Sequence, residues 1–226
     1  MKRIAVIGGT ALQDFVEENE HFKEDVVFLN RHNGMWKRSV PPHKIDYRAN
    51  IRMLAELDIT EIIAVFAVGS LSHEHKPGDI IIPDSFLDFT KNRESTFFDD
   101  EIHHQTMGKE IFHLPPSVFD IDAHIGGTYV CIEGPRFSTL AESKMFQKLG
   151  GTLVGMTMVP ECVLAMEAGI KYTPLCIVTD YDCWIHDRNS RDVNVAPPED
   201  VTYEMVQEVM AANEAKMIET VRVMLS

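Results

Sequence analysis

"PECVLAMEAGIKYTPLCIVTD", Pro160 to Asp180, decides the fold class. Its first half puts Pro160 at an early helical position and closes on Gly169, the usual order of start and stop signals. Its second half, from Tyr172 to Asp180, is an apolar run of strand length. A helix feeding a buried strand is the repeating step of an α/β chain, and the step recurs outward from here. Upstream, "RIAVIGG" and "DVVFLN" (25–30) read as strands, 45–57 as a helix, and "EIIAVFAVGS" (61–70) as another strand. The turn "KPGD" (76–79) leads into the strand "IIIP" (80–83), and "TYVCIEGP" (128–135) reads as a further strand. A helix follows from Thr139 to Leu149, where Thr139 and Glu142 have capping-box spacing. Downstream, Val206, Val209, Met210, Asn213, Met217, Val221 and Met224 recur at about 3.6 residues and predict one final amphipathic helix. The expected architecture is α/β: a single domain over 1–226, with a mixed, mainly buried central sheet flanked by helices.

Composition narrows the function classes. The 226 residues carry a net charge of −14, from 21 basic and 35 acidic side chains. That balance argues against a nucleic-acid or anionic-membrane surface, though it leaves room for a small cationic pocket. Cys131, Cys162, Cys176 and Cys183 sit in or beside apolar runs without metal-ligand spacing, so they read as buried free thiols, and no metal site is expected. "MKRIAVIGGT" is unlike a signal peptide and no stretch is long enough to span a bilayer, which implies a cytoplasmic protein.

The chemistry-bearing residues collect at strand ends, where ligands of α/β sheets gather. "IGGT" (7–10) offers exposed amides and the Thr10 hydroxyl to an anion; alone it reads first as a structural turn, and it fits neither a dinucleotide fingerprint nor a P-loop. "NRHNG" (30–34) adds Arg31 and His32, and "GMTMVPE" (155–161) puts Met156 and Thr157 before a helix whose free N–H groups favour an anion. "EGPRFST" (133–139) contributes Ser138 and Phe137, the latter suited either to core packing or to stacking on a flat ring. Finally, "IVTDYDCW" (177–184) ends a buried run with two acids, Asp180 and Asp182, on one face of an extended chain. A cap or surface turn is the plain alternative for that pair.

Taken in order, "IGGT", "RH", "PPHKIDYRANI", "GSL…KPGDIIIPD", "EGPRFS…AES", "GMTMVPE" and "TDYDCW" resemble the trimeric purine nucleoside phosphorylases, most of all their 5′-methylthioadenosine-cleaving branch. The resemblance covers nearly the whole chain. It implies reversible phosphorolysis of an N-glycosidic bond, with inorganic phosphate as co-substrate and no cofactor, in a homotrimer or a dimer of trimers. It also implies that Thr10, Arg31, His32, Thr157 and the Ala67 amide hold phosphate. Met156 then lies along the ribose, Phe137 and Ser138 face the purine, and His113 reaches a neighbouring subunit's 5′ pocket. Asp180 and Asp182 bind the base: Asp180 donates toward N7, and Asp182 accepts from an exocyclic amine. The 6-oxopurine enzymes of the family carry Asn at the loop end and Glu in place of Ser138, so the residues here favour a 6-aminopurine.

The chain departs from the family pattern in several places. Phe66 stands where a Thr hydroxyl usually touches phosphate. The stretch between Phe15 and Val26 is shortened, 120–127 lacks a usual helix, the 185–198 loop is long, and the last helix ends at Ser226. These differences keep three alternatives open: a 6-oxopurine nucleoside or methylthioinosine phosphorylase, a phosphate-independent nucleosidase, and a non-catalytic nucleoside binder.

Overall fold

A computed structural model of the chain describes residues 3–9, 26–33, 39–108, 110–187 and 200–226. Thr10, the shortened 15–26 stretch up to residue 25, and residues 188–199 of the long loop lie outside them.

Two long parallel strands form the spine, β3 (Glu61–Ser70) and β9 (Lys171–Tyr181). Their apolar residues divide by parity into two interiors. Ala64, Phe66, Val68, Cys176 and Val178 face one cluster, while Ile63, Val65, Leu175 and Ile177 face the other. Each fully buried Val or Ile contributes about 1.5–3 kcal/mol. That exceeds the roughly 1 kcal/mol span of β propensity. Burial on both faces, rather than local preference, makes these segments central strands.

The earlier strands are β1 (Ile4–Gly8), β2 (Val26–Asn30), β4 (Ile80–Ile82) and β5 (Ser85–Phe89). The later ones are β6 (His124–Ile125), β7 (Thr128–Ile132) and β8 (Leu153–Gly155). The described sheet runs β5-β7-β8-β3-β9-β4-β6, with β1 parallel to β3 and β2 parallel to β1. β1 pairs with the first half of β3, and β8 pairs antiparallel with its end at Gly69 and Ser70. The ends of β1, β3, β8 and β9 therefore converge. Helices α1 (Tyr47–Glu56) and α3 (Met158–Glu167) bury one sheet face. On the other face lie α4 (Tyr203–Ala212) and α5 (Glu214–Leu225), with α5 supplying Met217, Val221 and Met224.

The mixed α/β sheet agrees with the expectation from sequence. The capping box is present at α2 (Leu140–Lys148), where Thr139 accepts from the Glu142 amide and Glu142 accepts from the Thr139 amide at 2.8 Å. Pro160 does begin the regular part of α3, because Val159 before it is extended (φ −105°, ψ 130°). The four cysteines are free, three of them buried and Cys183 partly exposed.

One expectation is corrected. The final helix is two helices, because Asn213 ends α4 and begins α5. Its Nδ2 donates back to the Val209 carbonyl at 2.8 Å, so this side chain serves the helix end instead of an apolar stripe. Region 120–127 holds no α-helix, only the end of a 3₁₀ turn and the two residues of β6. Among the described residues no helix is long and apolar enough to cross a membrane, and no cluster of side chains suits a metal ion.

Candidate active site

A cleft of about 550 Å³ opens where those strand ends converge, within the range that holds a small organic ligand. Of the sequence-predicted residues, Arg31, His32, Ala67, Phe137, Ser138, Met156, Thr157, Asp180 and Asp182 all line it. His113 does not. It lies at the other end of the spine, donating its amide to the Tyr172 carbonyl at 2.8 Å, with Nε2 3.9 Å from Glu61.

The two acids reach the cleft through an irregularity in β9. Val68 pairs with Val178, but Gly69 pairs with Asp180, so Thr179 is an extra residue in a β-bulge. Residues in register share a face of the sheet. The bulge thus carries Asp180 to the side of Ala67 and Gly69, away from the side of Cys176 and Val178. Gly69 leaves room for the acid, since a Cβ on it would lie 3.0 Å from Asp180 Oδ2 and 3.3 Å from Val154 Cγ1, contacts tight enough to press on both side chains. The turn after the strand is pinned by Ser70, whose carbonyl accepts from the Asp182 amide at 2.9 Å and from Trp184 Nε1 at 2.7 Å.

Burial pushes the Asp180 carboxyl above its ordinary range, and the Asp182 charge adds to the effect, against a 2.7 Å hydrogen bond donated by the Thr179 hydroxyl. Burial raises Asp182 as well. Two neighbouring carboxyls that both resist ionisation are suited to retaining a proton. Asp182 Oδ2 and Ser138 Oγ are buried without a hydrogen-bond partner, a condition that costs about 1–3 kcal/mol per group unless a ligand relieves it. Phe137, 41% exposed, stands beside them. The capping box holds this rim. Arg136 forks onto Glu142 at 2.7 and 2.8 Å and, with the Thr139 amide, holds the Glu142 carboxyl down at about 2.

The opposite corner holds Arg31 and His32. His32 donates from Nδ1 to the Val40 carbonyl at 2.8 Å, which leaves Nε2 facing Gly9. Burial, and secondarily the Arg31 charge, lower its pKa, so the ring is neutral and Nε2 is an acceptor. Arg31, only 2% exposed, is bound to Glu161 through Nε (2.6 Å) and Nη2 (2.9 Å), and to the Val65 carbonyl through Nη1 (2.9 Å). Thr157 precedes α3 and lines the cleft with its hydroxyl uncommitted to a cap, whereas beyond it Val159 N donates to the buried Cys131 Sγ at 3.4 Å and Pro160 carries no N–H. Gly155 beside Thr157 admits no side chain, because a Cβ would fall 2.0 Å from the Tyr129 hydroxyl.

Several site residues were not anticipated from the sequence. Glu161 is one, although a carboxylate inside the apolar run "VPECVLA" was a readable signal. Tyr203 and Gln207 from α4 form a further wall, with Gln207 Nε2 donating to the Tyr203 hydroxyl at 3.1 Å. Phe66 is buried; its ring lies under the Arg31 guanidinium, centroid 4.2 Å from Cζ.

Comparison with known proteins finds relatives in sequence and in fold. Residues 10–225 match the model of the phosphorylase superfamily. The chain is 41% identical to S-methyl-5′-thioadenosine phosphorylase of Pyrococcus horikoshii, with 81% of each chain covered. It is 47% identical to the protein of that name from Nitrosopumilus maritimus, over 70% of this chain and 63% of the other. Among solved structures, a mutant adenosine/methylthioadenosine phosphorylase from Schistosoma mansoni in complex with methylthioadenosine is similar at a TM-score of 0.83 and 28% identity, covering 99% of this chain and 90% of that one. A methylthioadenosine phosphorylase from an antarctic soil metagenomic library is similar at a TM-score of 0.78 and 32% identity, covering 99% and 86%.

Proposed function

The chain belongs to the phosphorylase superfamily, and on that premise we propose that it cleaves 5′-methylthioadenosine with inorganic phosphate, giving adenine and a 5-methylthioribose 1-phosphate. It is an enzyme of the pentosyltransferase kind. The observation that carries the reading is the pair of buried neighbouring acids, Asp180 and Asp182, beside Phe137 and Ser138 and across one cleft from the Arg31–His32 corner.

The purine lies against Phe137, with Asp180 toward N7 and Asp182 Oδ2 accepting from the 6-amino group. As the C1′–N9 bond breaks, its electron pair moves onto the purine and Asp180 delivers its proton to N7. A phosphate oxygen forms the new bond to C1′ from the opposite face. Arg31, the Ala67 amide and Thr157 hold that phosphate, with Thr10 as a further ligand. The neutral His32 Nε2 accepts from its P–OH group. The phosphorylated product gives a proton back to solvent, and Asp180 is reprotonated. Each of these steps is positioning or proton transfer by side chains, with no metal or organic cofactor. Four free thiols are in keeping with a reducing, cytoplasmic compartment.

Base release from methylthioadenosine, adenosine, inosine and methylthioinosine, each with and without phosphate, tests this reading. The expected result is release of adenine from methylthioadenosine only when phosphate is present. Undiminished release in phosphate-free buffer would establish a nucleosidase instead, and preference for inosine would assign a 6-oxopurine enzyme. One observation favours a broader 5′ selectivity. Beside the apolar Val206 and Met210, α4 brings the polar Tyr203–Gln207 pair to the cleft, so adenosine, with a 5′-hydroxyl, is expected to be a substrate as well.

A homotrimer is part of the same proposal. Ile102 is 92% exposed and Phe119 71% exposed, flanking the segment that bears His113, an arrangement that suits a subunit contact. Light scattering is expected to return the mass of three chains or six. A monomer would remove the proposed role of His113 in a neighbouring site.

A further inference from the structure

Glu161 is a fully buried carboxylate that the reaction itself does not use. Burying two full charges is a weak stability device, because the loss of hydration offsets most of their attraction. The Arg31–Glu161 pair therefore calls for another explanation. Arg31 has five N–H groups. Nε–H and one N–H from each terminal nitrogen are taken by Glu161 and the Val65 carbonyl, which leaves two. Glu161 is itself fixed, since Oε1 also accepts from the Tyr172 hydroxyl at 2.7 Å. The Phe66 ring closes one face of the guanidinium. Every degree of freedom of the Arg31 head is thereby restrained from within the protein.

We propose that Glu161 is a positioning residue for the anion corner. With Tyr172 and Phe66 it holds the Arg31 guanidinium in one plane, so that the two uncommitted N–H groups meet the attacking phosphate at a fixed angle. The proposal rests on the reading that Arg31 is a phosphate ligand. It also gives Phe66 a role: the position loses a hydroxyl donor and gains a platform for the remaining one. A purely electrostatic corner would be built differently. Glu161 cancels the Arg31 charge and so weakens the general pull on an anion, a loss that makes sense where geometry limits the rate.

The two views give opposite results for Glu161→Gln. If Arg31 attracts phosphate only by charge, removing the carboxylate lowers the phosphate KM. If Glu161 positions Arg31, the amide turns an N–H toward the guanidinium, the fork breaks, and the phosphate KM rises about tenfold or more with the nucleoside KM held within about twofold. Tyr172→Phe leaves the ion pair intact and frees only Glu161 Oε1, so it is expected to shift the phosphate KM in the same direction by about threefold. Initial rates at varied phosphate and varied methylthioadenosine, on proteins checked by circular dichroism, give both constants. A folded Glu161→Gln enzyme with an unchanged or lowered phosphate KM would overturn the proposal. Should that variant not fold, an unchanged phosphate KM in Tyr172→Phe would do so. A wild-type enzyme indifferent to phosphate would instead remove the phosphorolysis reading, and this proposal with it.

Discussion

Asp180→Asn is expected to lower kcat/KM for methylthioadenosine by about 10²–10⁴-fold, the range typical of losing a general acid. The amide keeps the shape and can still accept from the Thr179 hydroxyl, so the loss isolates the proton. The pH profile supplies a second readout. The wild-type rate should fall as pH rises through the elevated Asp180 pKa, and that limb should vanish in the variant. Stability should move the other way. A carboxyl whose folded pKa lies above its ordinary value of 3.8 lends the fold stability below that value and withdraws it as pH rises through the folded pKa. At neutral pH, well above the ordinary carboxyl value, the raised pKa is a net cost to the fold, and Asp180→Asn should raise the thermal midpoint while activity collapses. Below about pH 4 the two midpoints should converge. A near-normal rate, or a lowered midpoint at pH 7, would contradict the assignment of the acid.

The second large effect is expected at Asp182. Its Oδ2 is buried at the cleft without a hydrogen-bond partner, and in the proposed pose it accepts from the base. A 6-amino group donates to it, whereas a 6-oxo group sets acceptor against acceptor. Asp182→Asn offers N–H groups instead. Each mismatched buried group costs about 1–3 kcal/mol. The ratio of kcat/KM for methylthioadenosine over methylthioinosine should therefore fall by on the order of 100-fold. Measuring both substrates with one protein preparation removes any contribution from folding or active fraction. An unchanged ratio would mean that the exocyclic group is read elsewhere in the cleft.

How far the chain could be read in advance depended on whether a feature leaves a pattern. The long strands, α1, α2 and the start of α3 were legible because periodicity, a capping box and a helix-initiating proline are written in residue types. The short strands β5, β6 and β8 were not. β5 (SFLDF) and β6 (HI) lack the unbroken apolar run that marked the equally short β1, β2, β4 and β7, and β8 exists because the end of β3 offers it a partner. The break at Asn213 was hidden by apolar residues that keep nearly the same phase on either side of it. Within the site, the acids and the Arg31–His32 corner could be named, but their relations could not. Nothing in "VTDYD" signals that Thr179 is supernumerary, because a bulge is a property of the pairing with β3. Likewise, Phe66 read as a lost donor, and only the folded chain brings its ring under Arg31.

That supernumerary threonine also bears on how such a protein can change. Up to Val178 each side chain of β9 answers to its neighbours in the interior, and a slip of one position would exchange the two interiors wholesale. After it the alternation restarts with a new phase. Substitutions at 180 and 182 therefore leave undisturbed what fills the sheet, and the strand works as a fixed stem with an exchangeable tip.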